Sequence, residues 1–248
     1  GDGGAAPNAL LQNPVDVCKD KYGNVYIADS GNHTVRKVDI TGVIYTLAGT
    51  GVAGNAGDGG LATTALLNEP MGVTADTMGN IYIADAATHK IRKVDATTGF
   101  ISSYAGTGIA GNTGNGSSAG TAQLNTPWGL ATDTSGNIYI SDHGNNVIRR
   151  VDAQTQIITL YAGNNIAGDS GDNGPATSAS LSGPAYITFD KQNNLYIADM
   201  NNNVVRMVNA ATGVISTFAG NDSCTGVLGD GGPALAATMC APVGVAVD

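Results

Sequence analysis

The sequence predicts an all-β protein, a β-propeller of four-stranded antiparallel blades. Three observations predict it: a repeat of about 57 residues, four short β-like runs within each repeat, and a composition with 36 glycines and only 12% charged residues. Glycine and asparagine favour turns, and few charges argue against salt-bridged helices. The repeat comes first, because a fixed period decides the whole fold. Asn24-Val-Tyr-Ile-Ala-Asp29, Asn80-Ile-Tyr-Ile-Ala-Asp85, Asn137-Ile-Tyr-Ile-Ser-Asp142 and Asn194-Leu-Tyr-Ile-Ala-Asp199 place their aspartates 56, 57 and 57 residues apart. Each is followed by a Val/Ile-Arg pair (Arg36, Arg92, Arg149, Arg206) and closes on Ala-Gly at Gly49, Gly106, Gly163 and Gly220.

Within one copy the runs Met71 to Asp76, Ile81 to Asp85, Lys90 to Asp95 and Phe100 to Ala105 are separated by Gly and Asn, which is the signature of a propeller blade. The first two runs meet at Met78-Gly79-Asn80, where a tight hairpin needs positive φ. Four complete blades are expected at about 14–49, 70–106, 127–163 and 184–220, and a first strand of a fifth from 242. The pattern stops inside that fifth copy and starts inside an inter-blade loop, so the sequence is expected to be part of a larger ring or assembly. Open blade edges would then invite self-association.

The long connections carry a second repeated signature, Gly1-Asp-Gly-Gly4, Gly57-Asp-Gly-Gly60, Gly114-Asn-Gly-Ser117, Gly171-Asp-Asn-Gly174 and Gly229-Asp-Gly-Gly232. A short apolar piece and a proline follow, predicting one or two helical turns or a loop pinned by leucines. Each such loop offers a single Asp, with Asn115 in the third copy, whereas calcium takes six to eight oxygens. They are expected to be structural turns. Asp29, Asp85, Asp142 and Asp199 are likewise expected to make turns, by accepting bonds from the N–H groups of the turn that follows. The four recurring arginines are expected to bond carbonyls or the turn aspartate.

A segment such as Tyr26-Ile-Ala-Asp-Ser-Gly-Asn-His-Thr-Val-Arg-Lys-Val38, with its counterpart at 82–94, resembles the NHL repeat, and the resemblance covers the whole chain. The third and fourth copies depart from the triplet, with Asn145-Asn146 and Asn202-Asn203. The resemblance implies blades around a central channel, approached by ligands through loops on one face. It also implies a competing class, metal-dependent enzymes of the lyase or lactonase kind, whose channel histidines hold zinc with three protein ligands and an open position. His33 and His89 occupy equivalent places and are the candidate metal pair, but Asn146 and Asn203 stand there in the other copies.

Residues that break the repeat are where a specific site is sought: Trp128, the only tryptophan, His143, Tyr186 and Glu69. Cys224 and Cys240 both arise in one connection and are expected to form a disulfide. Such a bridge would imply an oxidising compartment and be worth roughly 3 kcal/mol. Cys18 is expected to be a buried free thiol.

The net charge of −9 argues against nucleic acid and anionic membranes, and no apolar run reaches the length of a membrane helix. The expected function is an extracellular, secreted or cell-surface module that binds protein or glycan or assembles as a scaffold, with no catalytic residues and no cofactor. The alternative is the metal-dependent enzyme, with calcium or zinc in the channel.

Overall fold

A computed structural model describes residues 1–225 and 229–248. Blade 1 comprises β1 (Pro14–Lys19), β2 (Val25–Asp29), β3 (Thr34–Val38) and β4 (Ile44–Ala48). Blade 2 comprises β5 (Pro70–Ala75), β6 (Ile81–Asp85), β7 (Lys90–Val94) and β8 (Ile101–Ala105). A two-residue strand, β9 (Ser117–Ser118), precedes blade 3, which comprises β10 (Pro127–Thr132), β11 (Ile138–Asp142), β12 (Val147–Val151) and β13 (Ile157–Ala162). A second short strand, β14 (Gly174–Pro175), precedes blade 4, with β15 (Pro184–Phe189), β16 (Leu195–Asp199), β17 (Val204–Val208) and β18 (Val214–Ala219). Each blade is an antiparallel meander in sequence order, so the four predicted runs per copy are four strands.

Period-two alternation decides how the blades stack. Tyr26 and Ala28 of blade 1 bury one face against Val73, Ile81, Ile83, Val94 and Ile101 of blade 2. The intervening residues of β6, Tyr82 and Ala84, turn the other way and meet Leu130, Ile138 and Ile140 of blade 3. The core is therefore three successive inter-blade layers, to which the connecting loops add Ala62, Ala65 and Leu67 and their equivalents.

The first strands pack in series, β1 on β5, β5 on β10 and β10 on β15. Their close approach requires glycine at two points: a Cβ on Gly72 would lie 2.1 Å from the Trp128 carbonyl oxygen, and one on Gly129 would lie 2.5 Å from that of Ala185. Residues 242–248 follow β15, with the Tyr186 N–H donating to the Val243 carbonyl and Val245 packed against Tyr186. They form no strand, in contrast to the expectation. The other first strands pair with the next run of their own copy, and 242–248 have no such partner.

The outer edge of each blade carries a piece of the loop before it. β9 pairs with β13 and β14 with β18, while single bridges join Ala5 to Val43 and Leu61 to Phe100. In each blade the preceding loop thus covers the outer rim of the fourth strand, and its apolar piece forms one 3₁₀ turn, as at Ala62–Thr64. This is one of the ways an exposed edge is blunted.

Candidate functional site at the channel mouth

Most of the recurring polar residues are occupied by the repeat itself. Asp29, Asp85, Asp142 and Asp199 are fully buried. Each accepts, through Oδ1, a backbone N–H from the loop seventeen residues upstream: Gln12, Asn68, Asn125 and Ser182, at 2.6–2.7 Å. This is a partner beyond the one expected. Oδ1 thus fastens the incoming loop to its blade, while in copies 1, 3 and 4 Oδ2 accepts from the following turn, through the side-chain N–H of Asn32, Asn145 and Asn202 at 2.8 Å and not through its backbone. Burial lifts the carboxyls of Asp85, Asp142 and Asp199 to about 6, opposed by that N–H and by the neighbouring arginine.

The arginines complete the same fastening. Arg92, wholly buried, lies 3.5 Å from Asp85 and 2.7 Å from Asp58 of the preceding Gly-Asp loop. Arg206 sits in the same way between Asp199 and Asp172, and Arg36 between Asp29 and Asp2. Asp2 and Asp172 also accept the backbone N–H of Thr46 and Thr217 in the fourth strands, at 2.9 Å. The Gly-Asp loops are therefore structural, with their carboxylates turned onto arginine. In the third copy Asn115 replaces the aspartate, and among the described residues Arg149 has only Asp142 as an ion-pair partner, at 3.5 Å.

His33 and His89 have a structural use as well. Each is left-handed, at φ 51° and 55°, and each accepts through Nδ1 the N–H of the residue before the next blade's proline: Glu69 at 3.3 Å and Thr126 at 3.0 Å. Asn146 and Asn203 do the same through Oδ1, toward Gly183 at 2.8 Å and Ala241 at 2.9 Å. Histidine and asparagine alternate at this position because both tolerate positive φ and both present an acceptor at similar reach. Among the described residues, no group of three or more His, Cys, Asp or Glu stands close enough to hold a metal ion.

Three of the four residues singled out because they break the repeat, Trp128, His143 and Tyr186, come together at one end of the channel. Trp128, half-buried, stacks flat on His143, with ring centroids 3.9 Å apart and planes within 8°. His143 Nδ1 lies 3.1 Å from the Pro184 carbonyl, which can only accept, so Nδ1 carries the proton and Nε2 is the basic nitrogen. Burial lowers the His143 pKa below its ordinary 6.5, so the ring is neutral near pH 7. Ser141 Oγ donates to the same carbonyl at 2.6 Å. Trp128 and Met200 pack against Tyr186, whose hydroxyl crosses to donate to the Met71 carbonyl at 2.7 Å. The channel mouth is thus rimmed by an aromatic stack and methionines, and a tyrosine spans it.

Beneath this bar lies a cavity of about 320 Å³, lined among others by Asp16, Cys18, Thr74, Thr132 and Tyr186. Asp16 stands where other first strands have Gly72, Gly129, Tyr186 and Gly244. It accepts the Val73 N–H across the blade boundary at 2.8 Å, and burial raises its carboxyl to about 6. Asp16 and Met71 are not among the residues that the repeat pattern singles out. Aligning the third position of every first strand would have exposed Asp16, whereas Met71 acts through its carbonyl, which no side-chain pattern reports.

Cys224 and Cys240 are joined by a disulfide across the fourth connection, with Cα atoms 4.7 Å apart. Cys18 is a free, partly buried thiol, and burial pushes its pKa up, leaving it a poor nucleophile. Glu69 is the left-handed residue held by His33.

Stacked four-stranded meanders with their first strands around a channel define a β-propeller. The NHL repeat model matches residues 11–38 and 124–150, and the chain belongs to the NHL-repeat family. It is 31% identical over 234 residues to NHL repeat-containing protein 2 of Homo sapiens, covering 82% of this chain and 32% of that protein. Teneurin-4 of Mus musculus is 27% identical over 242 residues, which is 84% of this chain and 8% of the relative. The chain therefore spans a third or less of these relatives. Among solved structures, virginiamycin B lyase from Staphylococcus aureus superposes with a TM-score of 0.55 at 17% identity, over 86% of this chain and 57% of that one. An auxiliary nutrient binding protein from Bacteroides ovatus gives 0.60 at 17%, over 86% and 49%. At such identity these likenesses show the shared fold.

Proposed function

We propose that this chain is a non-catalytic NHL propeller module of a secreted or cell-surface protein, binding a protein or glycan at the channel mouth through the Trp128–His143 stack. The observation that carries this reading is the employment of the recurring polar groups. The aspartates at 29, 85, 142 and 199, the four arginines and the His/Asn residues fasten one blade or loop to the next, and Asp20, Asp76, Asp133 and Asp190 hold their own hairpins, while Trp128 and His143 depart from the repeat and form a rigid aromatic face. Aromatic faces of this kind suit sugar rings and apolar side chains, since they bury area at little entropic cost. The Cys224–Cys240 bridge supports an oxidising compartment. A lyase-type site, as the fold of the Staphylococcus aureus relative would allow, needs three convergent metal ligands, whereas His33 and His89 commit Nδ1 to the backbone.

Two measurements on one sample test this. Metal content is read on the natively produced protein, and Trp128 emission is followed during titration with a panel of oligosaccharides and with candidate ectodomains. Metal-free protein whose emission responds to one of these, and no longer responds after His143→Ala, supports the proposal. One equivalent of zinc or calcium, released by His33→Ala or His89→Ala, would overturn it in favour of the enzyme.

A further inference from the structure

The repeat contains one vacancy away from the channel. In three blades the tyrosine of the second strand packs edge-on against an aromatic ring from the fourth strand: Tyr82 with Tyr104 and Tyr139 with Tyr161, each at 4.8 Å, and Tyr196 with Phe218 at 5.0 Å. In blade 1 the equivalent of these partners is Leu47, and among the described residues Tyr26 has no aromatic neighbour of this kind.

The missing ring leaves space. A groove of about 390 Å³ runs between blades 1 and 2, and a second of about 350 Å³ continues it, the two sharing Lys37, Leu47, Val94 and Gly99. The equivalent cleft between blades 2 and 3 receives the Tyr104 ring. Its phenol, raised to about 12 chiefly by burial, also feels Gln156 and Asp152, which stand in blade 3 where Gly99 and Asp95 stand in blade 2. The seat is therefore aromatic by construction and is left open once.

The rim says what would sit there. Tyr22, Tyr45, Leu61 and Met78 are exposed along the two grooves, at 62%, 44%, 50% and 71%. Exposed apolar side chains around an open groove mark a contact with another protein more than an enclosed small-molecule pocket. Its charge is acidic, with Asp20, Asp39 and Asp95 against Lys37. Asp39 and Asp95 spend only Oδ1 on their own turns, at Thr41 and at Thr97 and Thr98, so each keeps a free Oδ2 among the described residues. Lys37 lies over the Tyr26 ring at 5.9 Å.

We infer that the groove between blades 1 and 2 is a docking site for a protein partner, which inserts an aromatic side chain flanked by basic residues beside Tyr26 in place of the ring that Leu47 does not supply. The inserted ring completes the edge-on pair found in the other blades, and the flanking cations meet Asp39 and Asp95. This site is separate from the channel mouth and stands whether or not that surface binds a ligand.

The test uses the chain with N-acetyl-Lys-Tyr-Lys-amide as probe, followed by NMR at the Leu47 methyls and the Ala96 and Thr97 amides, with Trp128 emission as the control for the channel mouth. The expected result is shifts confined to the groove, with Trp128 unmoved. The Glu-Tyr-Glu and Lys-Leu-Lys peptides should bind about fivefold more weakly or worse. Leu47→Tyr, which fills the seat as in the other blades, should abolish binding and raise the melting temperature. Tyr104→Leu should open a second seat between blades 2 and 3 that takes the same peptide. Absence of shifts in the parent chain, or undiminished binding to Leu47→Tyr, would overturn the inference. Binding of p-cresol as tight as that of the peptide would overturn the assignment to a protein partner.

Discussion

The Asp85 carboxylate shows why one residue type recurs at fixed spacing. It is wholly buried, holds the Asn68 N–H at 2.6 Å and lies 3.5 Å from Arg92, so it joins loop, strand and guanidinium at once. Removing one member of a buried charge pair costs more than a surface turn bond does, because the remaining charge loses its partner. Asp85→Ala is therefore expected to lower unfolding free energy by about 3 kcal/mol, and Asp85→Asn by less, since Asn keeps an acceptor for Asn68. Urea unfolding of the two variants checks the order. Equal losses would mean that the charge contributes nothing. At the channel mouth, the His143 pKa is lowered by burial from an ordinary 6.5. A depressed folded pKa contributes stability that is complete above 6.5 and is lost as pH falls through the folded value, because the unfolded chain takes the proton first. Trp128 is the only tryptophan and stacks on this ring, so its emission should report the protonation with a midpoint below 6.5. A midpoint above 6.5, or a titration that survives His143→Asn, would contradict the assignment.

At the scale of the element, the Gly-Asp loop and the blade that follows it form one unit. The loop pairs with the outer strand, and its aspartate meets the blade arginine and, in blades 1 and 4, a fourth-strand N–H. Blade 3 lacks the carboxylate, since Asn115 occupies the place of Asp58 and Asp172, and among the described residues Arg149 pairs with Asp142 alone. Asn115→Asp is expected to stabilise the chain by about 1 kcal/mol, measured by chemical denaturation, by supplying a charge-assisted bond to a buried guanidinium. No gain would show that the Arg149 environment differs from that of Arg92. These loops were legible in the sequence as structural turns. Their partners were not, because Arg92 and Asp58 are 34 residues apart and the fourth strand must fold back before they meet. The same reason hid the second partner of the recurring aspartate: sequence proximity pointed to the turn after it, whose Asn side chain it bonds in three copies, and not to the loop seventeen residues upstream.

For the whole molecule, the distance between blades is set where the first strands approach one another. Gly72 faces the Trp128 carbonyl so closely that a methyl group has no room. Gly72→Ala is expected to cost well over about 2 kcal/mol, since backbone on both sides must move, and a melting curve within error of the parent would contradict that packing. The sequence by itself determined the period, the four strands of each blade, the alternation that gives every blade two apolar faces, and the residues that depart from the pattern. Those features are local, written within one copy by turn residues and period-two patterning. Only the tertiary structure decided that Trp128, His143 and Tyr186 share one rim, and that Tyr186 reaches Met71 across 115 residues. It alone decided that Leu47 leaves an open seat beside Tyr26. Each of these depends on how closely and at what angle successive blades pack, and no single copy of the repeat encodes that relation.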